Sequence, residues 1–205
     1  MNQSQFQQAA GVSAGLASRW FPHIDAAMKE FGIIKPEDQA MFIAQSGHES
    51  AGFSALVESF NYTPAALLTT FGRRITNYQA YMLGRDKEKG QVANQPAIAN
   101  LVYSKRYGNN APGDGWKYRA RGLIGITFLD NYRDCGNGLK VDLVAQPELL
   151  AQDEYAARSA AWFFASKGCM KYTGDLVRVT QIINGGQNGI NDRRARYAKA
   201  KAALV

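Results

Sequence analysis

The stretch from Gly47 to Glu58 places the tightest condition on the fold. It sets two carboxylates, Glu49 and Glu58, nine residues apart across a run that cannot be helix throughout. In one straight helix, a step of about 100° per residue would turn Glu58 to the face opposite Glu49 and carry it about 13 Å along the axis. A shared cleft therefore requires a break between them. Ser50, Ala51 and Gly52 supply it, because Ser and Gly are poor helix-interior residues and Gly admits the positive φ that ends helices. Upstream, Pro36 suits a first turn and Glu37 and Asp38 suit the positive end of a helix. Met41, Ala44 and His48 then share one face, with Ala40, Ile43 and Gly47 beside it. Glu49 falls at the carboxyl end of that helix, where the dipole and apolar neighbours disfavour negative charge and so suit a proton donor. Glu58 leads into Ser59, Asn61 and Tyr62, a polar turn expected to keep it solvated and ionised. One protonated and one ionised carboxyl are what glycoside hydrolysis needs; two surface glutamates are the plainer alternative.

The remaining punctuation predicts a mainly α chain with at most one small β element. Ser4–Ala10 and Ser13–Arg19 read as short serine-capped helices, and Pro22 starts or kinks the next, which runs to about Phe31. Thr63 and Pro64 open a helix that stops at Gly72, Thr76–Leu83 forms another, and Asn94–Lys105 a third. Tyr107–Gly115, with three glycines, a proline and two asparagines, is the expected lobe boundary. Tyr118–Ile126 is expected to form a short strand. Thr127 then caps a helix through Tyr132 that Gly136 and Gly138 close. Leu149–Lys167 is the expected buried central helix; Asp175 caps another that ends at Gly185, and a basic helix runs from about Asn191 to Leu204.

Several chemistries are excluded. Gly11-Val12-Ser13-Ala14-Gly15 matches a nucleophile-elbow string, but a glutamine-rich segment precedes it instead of a buried strand. His48-Glu49 would begin a zinc-binding string only with a second histidine where Gly52 stands. With only His23 and His48 in the chain, a histidine triad or zinc cluster is hard to assemble, so no metal and no cofactor are expected. Cys135 and Cys169 read as reduced core thiols. The net charge of +7 favours an anionic partner. For nucleic acid, Lys and Arg should interleave with aromatics in one patch, whereas here they gather in the terminal helix, whose alternative role is contact with an anionic envelope. The polar start, Met1–Ala10, gives the expectation of no signal peptide and of synthesis in a reducing cytoplasm.

Three separated blocks carry a resemblance: Gly47-His48-Glu49-Ser50-Ala51-Gly52-Phe53; Tyr118-Arg119-Ala120-Arg121-Gly122-Leu123-Ile124-Gly125-Ile126-Thr127 with Asn131-Tyr132; and Ile183-Asn184-Gly185-Gly186 with Asp192-Arg193. Together they resemble the motifs of family-19 glycoside hydrolases, chitinases and bacteriophage endolysins, and look most like the compact phage members. The resemblance implies a lysozyme-like, two-lobed helical fold in a single catalytic domain. Its larger lobe would hold residues of about 1–46 and 115–205, and its smaller lobe about 47–114. It implies an inverting mechanism with Glu49 as general acid, Glu58 as general base and Thr127 holding the attacking water. His48, Tyr118, Arg121, Asn131, Asn184 and Arg193 would bind the sugar chain or tune the acid. Two positions depart from the family pattern, Ala120 for glycine and Gly125 for glutamine, the latter removing a sugar contact.

The function expected is an endolysin that cuts the glycan of bacterial peptidoglycan, acting as a monomer and held in the host cytoplasm until released to the wall. The charge agrees, since peptidoglycan carries carboxylates. A chitinase acting on chitin oligomers and a non-catalytic wall-binding relative are the alternatives.

Overall fold

The computed structural model describes residues 1–205 as eleven α-helices joined by loops and two 3₁₀ turns, with no sheet. The first five are α1 (Gln3–Ala10), α2 (Ala14–Glu30), α3 (Pro36–Glu49), α4 (Pro64–Phe71) and α5 (Asn77–Leu83). They are followed by α6 (Gln95–Tyr103), α7 (Asp114–Lys117), α8 (Leu129–Leu139), α9 (Asp153–Ser166), α10 (Leu176–Asn184) and α11 (Ile190–Leu204). Two cores organise them. The larger gathers Phe6, Trp20, Phe42, Phe53, Tyr132 and Phe164 with their neighbours; within it α3 packs against α11, α11 against α1, and α2 against α9. The smaller gathers Phe60, Leu67, Ile75, Ala80, Ile98, Val102 and Tyr103 from α4, α5, α6 and the segments before them, and borrows Phe128 from beyond the loop. The fold is thus mainly α and two-lobed, with the chain crossing between lobes after Phe53 and returning after α7.

The helix termini obey local chemistry. Asn2, Ser13, Thr63, Thr76, Asn94 and Asp175 each accept a hydrogen bond from the first turn that they cap, with Asn2 in place of the expected Ser4, which lies inside α1, and prolines stand at the starts of α3, α4 and α6.

Three expectations fail for identifiable reasons. Pro22 starts no helix of its own: α2 is one helix of 17 residues with Pro22 inside it. Burying Ala17, Trp20, Ile24 and Met28 outweighs the roughly 3 kcal/mol an interior proline costs. The strand expected over Tyr118–Ile126 is a turn, because Gly122 and Gly125 take φ of +82° and +70° and fold Arg121 back onto Ile126 as an isolated antiparallel bridge. The helix expected to start at Thr127 and close at Gly136 and Gly138 starts after Phe128 and contains both glycines, ending instead at Lys140 with φ +58°. Gly138 is there for packing, since a Cβ on it would lie 2.0 Å from Trp162 Nε1.

The basic terminal helix also differs from its expected face of free cations. In α11, Arg193 is fully buried, Arg196 pairs with Asp192 and Lys201 pairs with Glu37, so only Arg194 and Lys199 point outward without an acidic partner.

Candidate active site

The break after Glu49 is built from three successive left-handed residues, Ala51, Gly52 and Phe53, at φ of +50°, +74° and +65°. Two of the three are not glycine, a conformation costing of order 1–3 kcal/mol at each such residue, so the surroundings must hold it. Ser50 does part of this: its hydroxyl donates to Ser46 O (2.6 Å) and accepts from Phe53 N–H (2.9 Å). Trp20 Nε1 donates to Phe53 O (3.0 Å), while the Phe53 ring is wedged against those of Phe6 and Trp20. Gly52 N–H closes the helix end onto Gly47 O at 2.7 Å.

The chain then returns as an extended segment tied to the turn after α7. Gly122 N–H donates to Leu56 O and Glu58 N–H to Ala120 O, each at 2.9 Å, and Val57 bridges Arg121. Glu58 thereby meets Glu49: both line one cleft of about 330 Å³, walled by Leu56, Ala120, Ile124 and Gly125 among others. A second cavity of about 530 Å³ shares Ile124 and Gly125 with the first, so the groove runs on past the acids.

The two carboxylates live in different surroundings. Glu49, part-buried at the end of α3, accepts from the guanidinium of Arg193. Arg193 is fully buried and also donates to Gln45 Oε1 and to Asn188 O, so one cation ties α3, α11 and the loop between α10 and α11 together. To the apolar neighbours expected around Glu49, here Leu56, Ala120 and Ile124 of the cleft wall, the structure adds a buried cation. Glu58 is not the solvated group expected. Burial raises its pKa above the ordinary value, opposed by donation from Tyr103 Oη at 2.8 Å, from Ala120 N–H at 3.2 Å, and by the nearby Arg119 charge. The same burial, with Glu58 beside it, pushes the Tyr103 hydroxyl far above its usual range.

The other residues singled out from the sequence divide by location. Thr127, Asn131 and Asn184 line the second cavity. Thr127 Oγ1 donates to Gly125 O (2.9 Å), Asn131 Nδ2 donates to Thr127 O (2.7 Å), and Asn184 Oδ1 accepts from Asn188 Nδ2 (2.9 Å). Tyr118 and Arg121 do not reach the groove. Tyr118 is buried and gives its hydroxyl to Val144 O, and Arg121 is buried and donates to Lys117 O and Tyr132 Oη. They hold the floor of the cleft from below, which corrects their expected part in sugar contact. His48 lines neither cavity: its Nδ1 lies 2.7 Å from Asp192 Oδ2, and its ring is backed so closely by Gly189 that a Cβ there would sit 2.2 Å from it. Asp192 is held below the ordinary carboxylate range by His48 first and by Arg196 second.

Sequence reasoning missed Gln45 and Tyr103. Gln45 stands four residues before Glu49 on the buried face of α3, a spacing that pointed to a shared partner. Tyr103 gave no such signal, because an aromatic at the end of an apolar helix reads as core.

The family model described as chitinase class I matches residues 16–198. A glycosyl hydrolase family 19 domain-containing protein of Haemophilus influenzae is 36% identical over 197 residues, covering 91% of this chain and 94% of its own length. A basic endochitinase of Brassica napus is 33% identical over 93 residues, 42% of this chain and 34% of that protein. Among solved structures, a bacterial family 19 chitinase superposes with a TM-score of 0.58 at 19% identity, over 99% of this chain and 94% of that one. Chitinase C of Streptomyces griseus superposes with a TM-score of 0.60 at 18% identity, over 99% and 76% of the two chains.

Proposed function

The chain belongs to glycoside hydrolase family 19 and is a chitinase-like enzyme; from that premise we propose that it cuts the glycan strands of bacterial peptidoglycan, an endolysin-type activity, by single displacement with inversion. The observation that carries this reading is the meeting of Glu49 and Glu58 in one cleft although the chain between them reverses direction.

In the proposed reaction Glu49 gives its proton to the oxygen of the leaving sugar, and Arg193 stabilises the carboxylate that remains. Glu58 takes a proton from a water that attacks the opposite face of the ring, which needs a carboxyl separation of roughly 6.5–9.5 Å. Its surroundings suit that part. Burial strengthens it as a base, while Tyr103 and the Ala120 amide, both donating, favour its ionised form. Thr127 Oγ1, donating to Gly125 O, keeps lone pairs for a water or a sugar hydroxyl, and Asn131 and Asn184 supply amide groups along the continuing groove. The net charge of +7 draws the enzyme to a wall rich in carboxylates.

Cleavage of chitin oligomers is the second reading, favoured by the plant relatives named as endochitinases. Purified peptidoglycan and chitin oligomers digested side by side separate the two, with the new reducing ends identified by mass spectrometry and the anomer first formed by NMR. Release of wall fragments as the inverted anomer is expected; chitin-only cleavage would overturn the substrate, and a retained anomer the mechanism.

A further inference from the structure

The cavity beyond the acids carries two cations that the proposed reaction does not use. Arg106 stands on a tight turn closed by Asn109 N–H donating to Arg106 O (2.8 Å), flanked by Lys105 and Tyr107 at φ of +54° and +40°. Its guanidinium carbon lies 4.7 Å from the centroid of Phe128, 5.8 Å from that of Tyr107 and 5.9 Å from that of Tyr103. Phe128 is itself held at φ +73°, a strained conformation that sets its ring between Tyr103 and Tyr107. Lys167, from the end of α9, brings its Nζ to 5.6 Å from the centroid of Phe163. Both cations line the cavity, both rest on aromatic faces, and neither belongs to an ion pair of the protein. The one acid in the lining is Asp134.

Resting a cation on aromatic rings fixes its position without neutralising it. A cavity holding two such cations offers charge-assisted hydrogen bonds that a neutral sugar chain cannot fully use. Chitin is uncharged. A wall glycan carries an acidic branch on every second sugar, a lactyl ether whose carboxyl is free or extended by an acidic peptide. We propose that Arg106 and Lys167 form a subsite for this carboxylate branch and so set the preference of the enzyme for wall glycan over neutral amino-sugar chains. The inference rests on the peptidoglycan reading and names the residues that would produce it.

The test compares wild type with Arg106→Gln, Arg106→Lys, Lys167→Gln and Asp134→Asn on three substrates: wall glycan with its peptides, the same strands stripped to the lactyl carboxylate, and neutral chitin oligomers. Arg106→Gln is expected to raise KM on wall glycan about tenfold, the loss of one charge-assisted hydrogen bond, with less than about a twofold change on chitin oligomers. Lys167→Gln should act in the same direction, Arg106→Lys should recover part of the loss, and Asp134→Asn should lower KM on wall glycan alone. A loss confined to intact strands identifies the peptide carboxylates as the ligand; a loss on both wall substrates identifies the lactyl group. Equal effects on charged and neutral substrates, or none from Lys167→Gln together with Arg106→Gln, would overturn the subsite while leaving the peptidoglycan reading intact. Wild type that cleaves only the neutral oligomers removes that reading first. Where Arg106→Gln lowers the melting temperature through its lost aromatic contacts, Lys167→Gln and Asp134→Asn still decide, since both residues are exposed.

Discussion

Glu49 and Glu58 face one cleft, yet the protein fixes them by opposite means. On the Glu49 side a regular helix delivers the carboxylate and one fully buried guanidinium holds it, with every connection charged or charge-assisted. On the Glu58 side the carboxylate comes from irregular chain and is held by a neutral hydroxyl and a backbone amide, and burial works against its charge. The contrast shows how one groove keeps two carboxyls chemically distinct. The larger lobe supplies a cation to the first, and the contact between lobes supplies desolvation to the second.

The sharpest way to break the comparison is to remove each acid. Glu49→Gln keeps the shape and the Arg193 contact but has no proton to give, so glycan cleavage should fall about 10³-fold, within the usual range for lost acid–base catalysis. The circular dichroism spectrum should stay that of wild type. Full lysis by a folded Glu49→Gln protein would refute the acid and leave a wall-binding role. Next in size is Arg193→Met, which strands the part-buried Glu49 carboxylate and the Gln45 amide. Breaking such a pair from one side costs about 3–5 kcal/mol, read as a drop in denaturation midpoint. A variant as stable as wild type would mean that the buried cation does not hold the larger lobe as described.

Glu58→Gln should separate stability from activity. The folded carboxyl of Glu58 titrates above its unfolded value, so the stability it contributes is present at low pH and lost as pH rises through the folded pKa. Gln does not ionise. Thermal melts should therefore show Glu58→Gln gaining on wild type between acid and neutral pH, while activity falls about 10²-fold. If wild type instead gained on the variant as pH rose, the burial argument for Glu58 would be wrong.

The difference between the sides also explains what could be read from the sequence. The Glu49 side was legible because it is local: the proline and acids at the start of α3, its apolar face, and the Ser50-Ala51-Gly52 break all act within a few residues. The caps of α4 and α10 were legible on the same ground. The electrostatics were not. From composition Arg193 reads as one more cation in a basic helix; only the family resemblance set it among the residues that bind sugar or tune the acid, and only the packing of α11 on α3 buries it beside Glu49. Glu58 reads as solvated because its near neighbours are polar, whereas its partners lie 45 and 62 residues away, at Tyr103 and Ala120. Segment 118–126 misled for a related reason, since its β-branched and aromatic residues suggest a strand and two glycines at positive φ fold it into the turn that receives Glu58. Local chemistry set the elements, and long-range contacts set the surroundings of the two carboxyls.

The smallest expected effect probes that long-range part most directly. Tyr103→Phe removes the hydroxyl that donates to Glu58 Oε1 and leaves the ring in the smaller core, against Phe60 and Phe128. Donation favours the ionised carboxylate and opposes the desolvation that raises its pKa, so losing it lets burial act with less opposition and the pKa should rise further. With Glu58 as base, the acidic limb of the kcat/KM profile follows its loss of a proton and should move to higher pH in Tyr103→Phe, with the rate at the optimum reduced by only a few-fold. Activity at low pH would suffer most. A limb that stays in place while the optimum rate falls would make Tyr103 a packing residue alone, and a limb moving to lower pH would show that the hydroxyl stabilises the protonated form, reversing the part assigned to Glu58.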